Sequence, residues 1–148
     1  MSSDILQQLV TVYLAQINSS MKIAGILTDH SEDEEITPDA LITGLVYRLM
    51  VPMSSDEMEE TLTHATDTMN EFINGEDNDE DNDEENDEYV ILEREPRKIK
   101  HNTCNCKICS KARDCLSNYH MHICDDPLAQ KFKDSITHSC QKHNLIIY

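Results

Sequence analysis

Apolar side chains recur at three- and four-residue steps over residues 4–27: Leu6, Leu9, Val10, Tyr13, Leu14, Ile17, Met21 and Ala24, with Gln7, Gln8, Gln16 and Lys22 between them. That period predicts an amphipathic helix. Gly25 weakens its last turn, and Thr28-Asp29-His30 is expected to end it. After a charged loop at 31–35, Thr37-Pro38-Asp39 reads as a helix start, a capping hydroxyl followed by proline at the first helical position. Leu41, Ile42, Leu45, Val46, Leu49 and Met50 then form a broad apolar face, which Pro52 closes. Ser54-Ser55-Asp56-Glu57 opens a third segment, with Met58, Leu62, Ala65, Met69, Phe72 and Ile73 as its stripe and Asn74-Gly75 as its stop. Residues 1–75 are therefore expected to form a small antiparallel helical bundle. Its methionines, Met21, Met50, Met53, Met58 and Met69, read as core, with an adaptable docking surface as the alternative. His30 and His64 read as surface histidines without chemistry.

The pattern then stops. Residues 76–88 hold only Asp, Glu and Asn, so no apolar burial offsets the entropy of ordering and disorder is expected there, within an acidic linker of 76–96 that includes a short strand. Asp77 to Glu88 has the carboxylates of a calcium loop, but Asn82 stands where an EF-hand needs glycine, so specific calcium binding is not expected. Tyr89-Val90-Ile91-Leu92 reads as a short strand against the C-terminal module; the alternative is a peptide that adds a strand to a partner's sheet.

Charge divides the chain the same way. Residues 1–75 carry two basic residues against thirteen acids, 76–96 one against twelve, and 97–148 nine against four, within a net charge of -17. The acidity argues against a nucleic-acid coat, yet the basic end can meet phosphates, and the acidic tract can compete for it in cis. No apolar run is long enough for a membrane span, and Met1-Ser2-Ser3-Asp4 lacks the features of a signal peptide. An intracellular location is expected, where clustered cysteines are more often ligands than disulfides. Six cysteines would allow fifteen pairings if they were oxidised.

All six cysteines and five of the seven histidines fall in residues 101–143. Thiolate and imidazole at this density point to Zn²⁺, one ion or two. Cys104, Cys106 and Cys109 form a C-x-C-x-x-C group, and Cys115 would complete four thiolates. A redox pair at Cys106 and Cys109 is the alternative, but no strand-then-helix context of the thioredoxin kind surrounds it. His120, His122 and Cys124 alternate, so an extended strand would present all three on one side. A helix is expected over 126–143, started by Asp126-Pro127, with Leu128, Phe132, Ile136 and Cys140 at four-residue steps. Cys140 then reads either as a buried thiol or, with His143, as a helical ligand pair. His101 and His138 are spectators. One pairing places Cys104, Cys106, Cys109 and Cys115 on one ion and His120 or His122, Cys124, Cys140 and His143 on a second; interleaved pairings fit equally. With few large apolar residues, this module is expected to draw folding free energy from metal.

The acidic tract, the Asn-Cys-Asn-Cys-Lys-Ile-Cys knot and the helix after it resemble uncharacterised acidic C-x-C-x-x-C proteins of large nucleocytoplasmic DNA viruses. The resemblance covers Asn102 to Ser110 and that helix, and it implies a virion or host-interaction role without a reaction. Neither H-x-E, P-C-x-x-C nor H-E-x-x-H occurs, and no nucleophile with a positioned base is found. The expected fold is mainly α: an N-terminal helical bundle (1–75), an acidic linker (76–96) and a zinc-stabilised Cys/His-rich module (97–148) with a terminal helix. The expected function is a non-enzymatic, zinc-binding, zinc-finger-like interaction protein with a protein partner. The alternatives are a nucleic-acid-associated regulator using residues 97–148, and a metal-dependent hydrolase with an open position at His120 and His122.

Overall fold

The computed structural model describes residues 3–74 and 95–147. The acidic tract and the Tyr89-Val90-Ile91-Leu92 run lie outside the described residues. Helices dominate: α1 Ser3–Asp29, α2 Pro38–Met50, α3 Ser55–Asn74, α4 Lys107–Asn118 and α5 Pro127–Lys142, with a 3₁₀ turn at Tyr119–Met121. Two short strands, β1 Arg97–Lys98 and β2 Leu145–Ile146, pair in parallel, Arg97 opposite Leu145 and Lys98 opposite Ile146. The mainly α expectation holds.

Local chemistry starts the helices where the sequence predicts. Thr37 caps α2 by accepting the Ala40 N–H at 3.1 Å, with Pro38 behind it. Ser54 and Glu57 form a reciprocal capping box at α3: the Glu57 N–H donates to Ser54 Oγ at 3.2 Å and the Ser54 N–H to Glu57 Oε1 at 3.0 Å. Asp126 caps α5 through the Ala129 N–H at 2.8 Å. The backbones of α1 and α2 meet closely at Gly44. A Cβ there would collide with the Ser20 carbonyl oxygen and lie 3.1 Å from the Ala24 nitrogen.

The N-terminal helices and the C-terminal segment share their interior. Ile42 and Val46 of α2 pack in one cluster with Ile99, Cys115, Leu116, Tyr119, Phe132, Ile136, Cys140 and Ile147. A second cluster joins Ile23 and Leu27 of α1, Tyr47 of α2, and Cys109 and Ala112 of α4. The boundary expected at 76–96 therefore does not separate two cores. Tyr119 is fully buried, and its hydroxyl donates to the Lys133 carbonyl at 2.9 Å and lies 2.7 Å from Thr137 Oγ1. A charged tie adds to the apolar one. Arg97 grips the Asp39 carboxylate with two bonds of 2.8 Å, and the Lys100 N–H donates to the same group at 2.7 Å.

One local expectation needs correction, and one helix was not anticipated. His120-Met121-His122-Ile123-Cys124 is not a strand: Tyr119 plugs the core, and the chain tightens through the 3₁₀ turn directly behind α4. The stretch after Cys106 is a full helix. Its apolar positions, Cys109, Ala112, Cys115, Leu116 and then Tyr119, keep a helical period in which cysteine counts as a hydrophobe.

Candidate metal centre

The C-x-C-x-x-C group sits where an extended segment turns into α4. Cys106 is the N-cap of that helix, and its Sγ accepts the Cys109 N–H at 3.4 Å; the Cys106 N–H points in turn at Cys104 Sγ, 3.4 Å away. Sulfur here does the work that Ser or Asp does at other caps. These contacts stabilise thiolates, because the first-turn N–H groups of a helix and its positive end favour negative charge. The Cys109 backbone N–H accordingly holds the Cys106 thiol down at about 7, while burial pushes Cys109 up to about 11.

A fourth donor comes from far along the chain. His30 follows the last residue of α1, and its Nδ1 lies 3.2 Å from Cys104 Sγ and 3.4 Å from Cys106 Sγ. The ligand atoms of His30, Cys104, Cys106 and Cys109 all lie within 4.8 Å of one another. Zinc bonds of about 2.3 Å to sulfur and 2.1 Å to nitrogen imply donor separations of about 3.6–3.8 Å around a tetrahedron. One imidazole and three thiols in this arrangement suit such an ion, and Cys₃His is an established structural donor set. When bound, zinc supplies a fixed positive charge that holds the thiolates deprotonated; the chain supplies the scaffold.

Asn102 and Arg113 build that scaffold. Asn102 Nδ2 donates to the Leu27 carbonyl at 3.1 Å and to Cys109 Sγ at 3.2 Å, and its Oδ1 accepts the Cys104 N–H at 3.2 Å. One side chain thus touches the end of α1, the buried thiol and the cysteine loop. Arg113 Nη1 donates to the carbonyls of Cys104 at 2.7 Å and Asn102 at 3.1 Å, and Nη2 to Asn105 Oδ1 at 3.2 Å. These second-layer contacts orient the donors, as partners around metal ligands generally do.

The sequence-predicted ligands separate into two kinds. Cys104, Cys106 and Cys109 come together. Cys115 and Cys140 lie in the larger apolar cluster, both thiols pushed up by burial, Cys140 to about 11. Cys124 is half-buried, and burial raises its thiol as well. His120 Nε2 pairs with the Ile147 carbonyl at 2.7 Å. His122 presents its carbonyl to Lys133 Nζ at 2.7 Å, and His143 closes the end of α5 through its N–H to the Ser139 carbonyl at 3.1 Å. Among the described residues, no three of these donors are gathered as the first four are.

His30 is the correction. Its separation of 74 residues from Cys104 hides it from any spacing rule. The available signal was arithmetic: three clustered thiolates leave a tetrahedral ion one donor short. Comparisons with known proteins find no matching family model, no matching curated protein and no matching solved structure. No helix among the described residues is long and apolar enough to cross a membrane.

Proposed function

We propose that the protein is a non-enzymatic zinc-binding interaction protein in which one Zn²⁺, held by His30, Cys104, Cys106 and Cys109, fixes the C-terminal segment onto the helical bundle. The observation that carries this reading is the convergence of those four donor atoms from two distant parts of the chain. Four protein donors leave no open position for a substrate or an activated water, which supports a structural metal over a hydrolytic one. Zinc thiolates also suit a reducing, intracellular compartment. The resemblance to proteins of large DNA viruses favours a virion or host-interaction setting.

A protein partner is favoured over nucleic acid because part of the basic charge of residues 97–148 is engaged internally. Arg97 binds Asp39, Arg113 binds the cysteine loop and Lys133 binds the His122 carbonyl. Metal analysis of chain purified without chelator tests the centre. One equivalent of zinc is expected, falling sharply in Cys106→Ser and His30→Ala but persisting in Cys115→Ala and Cys140→Ala. Zinc lost from the Cys140→Ala protein and retained in the His30→Ala protein would reject the assignment.

A further inference from the structure

The three clustered sulfurs are equal as zinc donors, but the fold does not place them equally. β1 and the extended segment after it lead into α4, a strand-then-helix junction that the sequence did not predict. At that junction Cys106 is the N-cap and Cys109 lies one turn in, so a C-x-x-C pair opens the helix. The Cys109 N–H donates to Cys106 Sγ at 3.4 Å, which folds the Cys106 side chain back over the first turn. All ligand atoms of the cluster lie within 4.8 Å of one another. The two sulfurs therefore need approach by less than about 3 Å to reach an S–S bond length of about 2.05 Å.

Exposure divides the pair. Cys109 is 1% exposed, whereas Cys106 is only half-buried. An oxidant arriving from water meets Cys106 first, with Cys109 held behind it by the Asn102 amide at 3.2 Å. That is the arrangement of an accessible sulfur beside a resolving one. Cys104 is half-buried too, but a C-x-C disulfide would have to close across a single residue, while Cys106 and Cys109 meet across a helical turn. Cys115 and Cys140 are buried in the larger apolar cluster, away from an aqueous oxidant.

We propose that Cys106 and Cys109 form a redox-active dithiol, which hydrogen peroxide converts to a disulfide and which thereby discharges the metal. The discharge rests on the zinc reading given above; the dithiol does not. Cys106 Sγ attacks one peroxide oxygen, the O–O bond breaks, and a sulfenic acid forms as hydroxide leaves. Cys109 Sγ then attacks the Cys106 sulfur, the S–O bond breaks, and a second hydroxide leaves. Two thiolates, one hydrogen peroxide and two protons from solvent become one disulfide and two waters. Two electrons pass from sulfur to oxygen. Only Cys104 and His30 then remain as donors, too few to hold a tetrahedral ion. The tie between the end of α1 and the start of α4 opens, while the apolar cluster that joins α2 to the tail is untouched. Reduction restores the site.

Titrating the zinc-loaded full chain with hydrogen peroxide, followed by a chromophoric zinc chelator and tryptic mapping, tests this. One zinc should appear for each disulfide formed, and dithiothreitol with added zinc should reload the protein. Trypsin cuts after Lys100, Lys107 and Lys111, so a Cys106–Cys109 bond joins peptides 101–107 and 108–111. That link should persist in Cys104→Ser and in His30→Ala, and vanish in Cys106→Ser. Cys106 should react about tenfold or more faster than Cys115 or Cys140. Circular dichroism checks that each variant stays helical. The His30→Ala protein separates the two readings, because its linked peptides report the dithiol whether or not the wild-type chain holds zinc. A bond confined to Cys104 and Cys106, or a link that survives Cys106→Ser, would overturn the proposal. So would oxidation to sulfinic acid without a disulfide, or zinc retained by the disulfide form.

Discussion

Asn102 connects the metal centre to the fold, and its effect should be measurable at the scale of one side chain. It bonds a thiol, the end of α1 and the loop that carries Cys104. Asn102→Ala should lower zinc affinity by about 10–100-fold in competition with a chromophoric chelator, the usual effect of removing a partner behind a ligand. Unchanged affinity would mean that the donors are positioned without it. Asp39 offers a pH test. Burial raises its pKa, but the hydrogen bond from Arg97, the Lys100 N–H and the Arg97 charge together outweigh that and leave it below the ordinary carboxylate value of 3.8. A carboxyl with a depressed folded-state pKa binds protons more weakly when folded. Its stabilisation is present above the unfolded-state value and is lost as pH falls through the folded one. Asp39→Asn should therefore flatten the acid limb of a stability-against-pH curve and cost about 1–2 kcal/mol at neutral pH, the partial exposure of Arg97 keeping the figure small. An acid limb identical to wild type would remove Asp39 from that role. His30 shows the limit of reading single residues in sequence: nothing about a histidine after a helix marks it as a ligand until the fold brings the cysteines to it.

At the level of elements, the sequence carries most where the determinants are local. Thr37-Pro38, Ser54 with Glu57, and Asp126-Pro127 each set a helix start through bonds spanning three residues, and all three appear where expected. Helix α4 escaped for a chemical reason. Cys109 and Cys115 occupy helical core positions, but a cysteine in a cluster also reads as a ligand, and sequence does not say which property governs. Cys106 uses both, capping the helix with the sulfur that faces the other donors. The close passage of α1 and α2 was equally hidden, since it depends on a carbonyl 24 positions away from Gly44. Gly44→Ala should destabilise by about 1–3 kcal/mol, because the added methyl meets rigid backbone. Chemical denaturation checks this, and a neutral or stabilising result would show that the two helices can move apart freely.

On the scale of the whole molecule, the metal acts on a fold that already has an apolar core, and this sets what its removal should do. The sequence suggested a cysteine-rich tail too poor in large apolar groups to fold without zinc. The tail instead borrows Ile42 and Val46 from α2, and Asp39 anchors Arg97, so its packing does not depend on the ion alone. The centre ties His30 to Cys104 at the edge of the smaller cluster, next to Leu27, Cys109 and Ala112. At free zinc about a thousandfold above its dissociation constant, binding adds about 4 kcal/mol to the folded state. For a chain of this size that is a fall of roughly 10 °C in Tm on chelation. The expected product is a less stable but folded protein. Far-UV circular dichroism should retain its helical signal, while hydrogen exchange should rise first at the end of α1 and the start of α4. A classical zinc finger behaves differently and unfolds outright when its metal is removed. Complete loss of helicity at room temperature on chelation would place this protein with the fingers and show that the shared core is insufficient. Retained helicity with loosening confined to the donors would define the ion as a clasp between two segments that α2 already holds together.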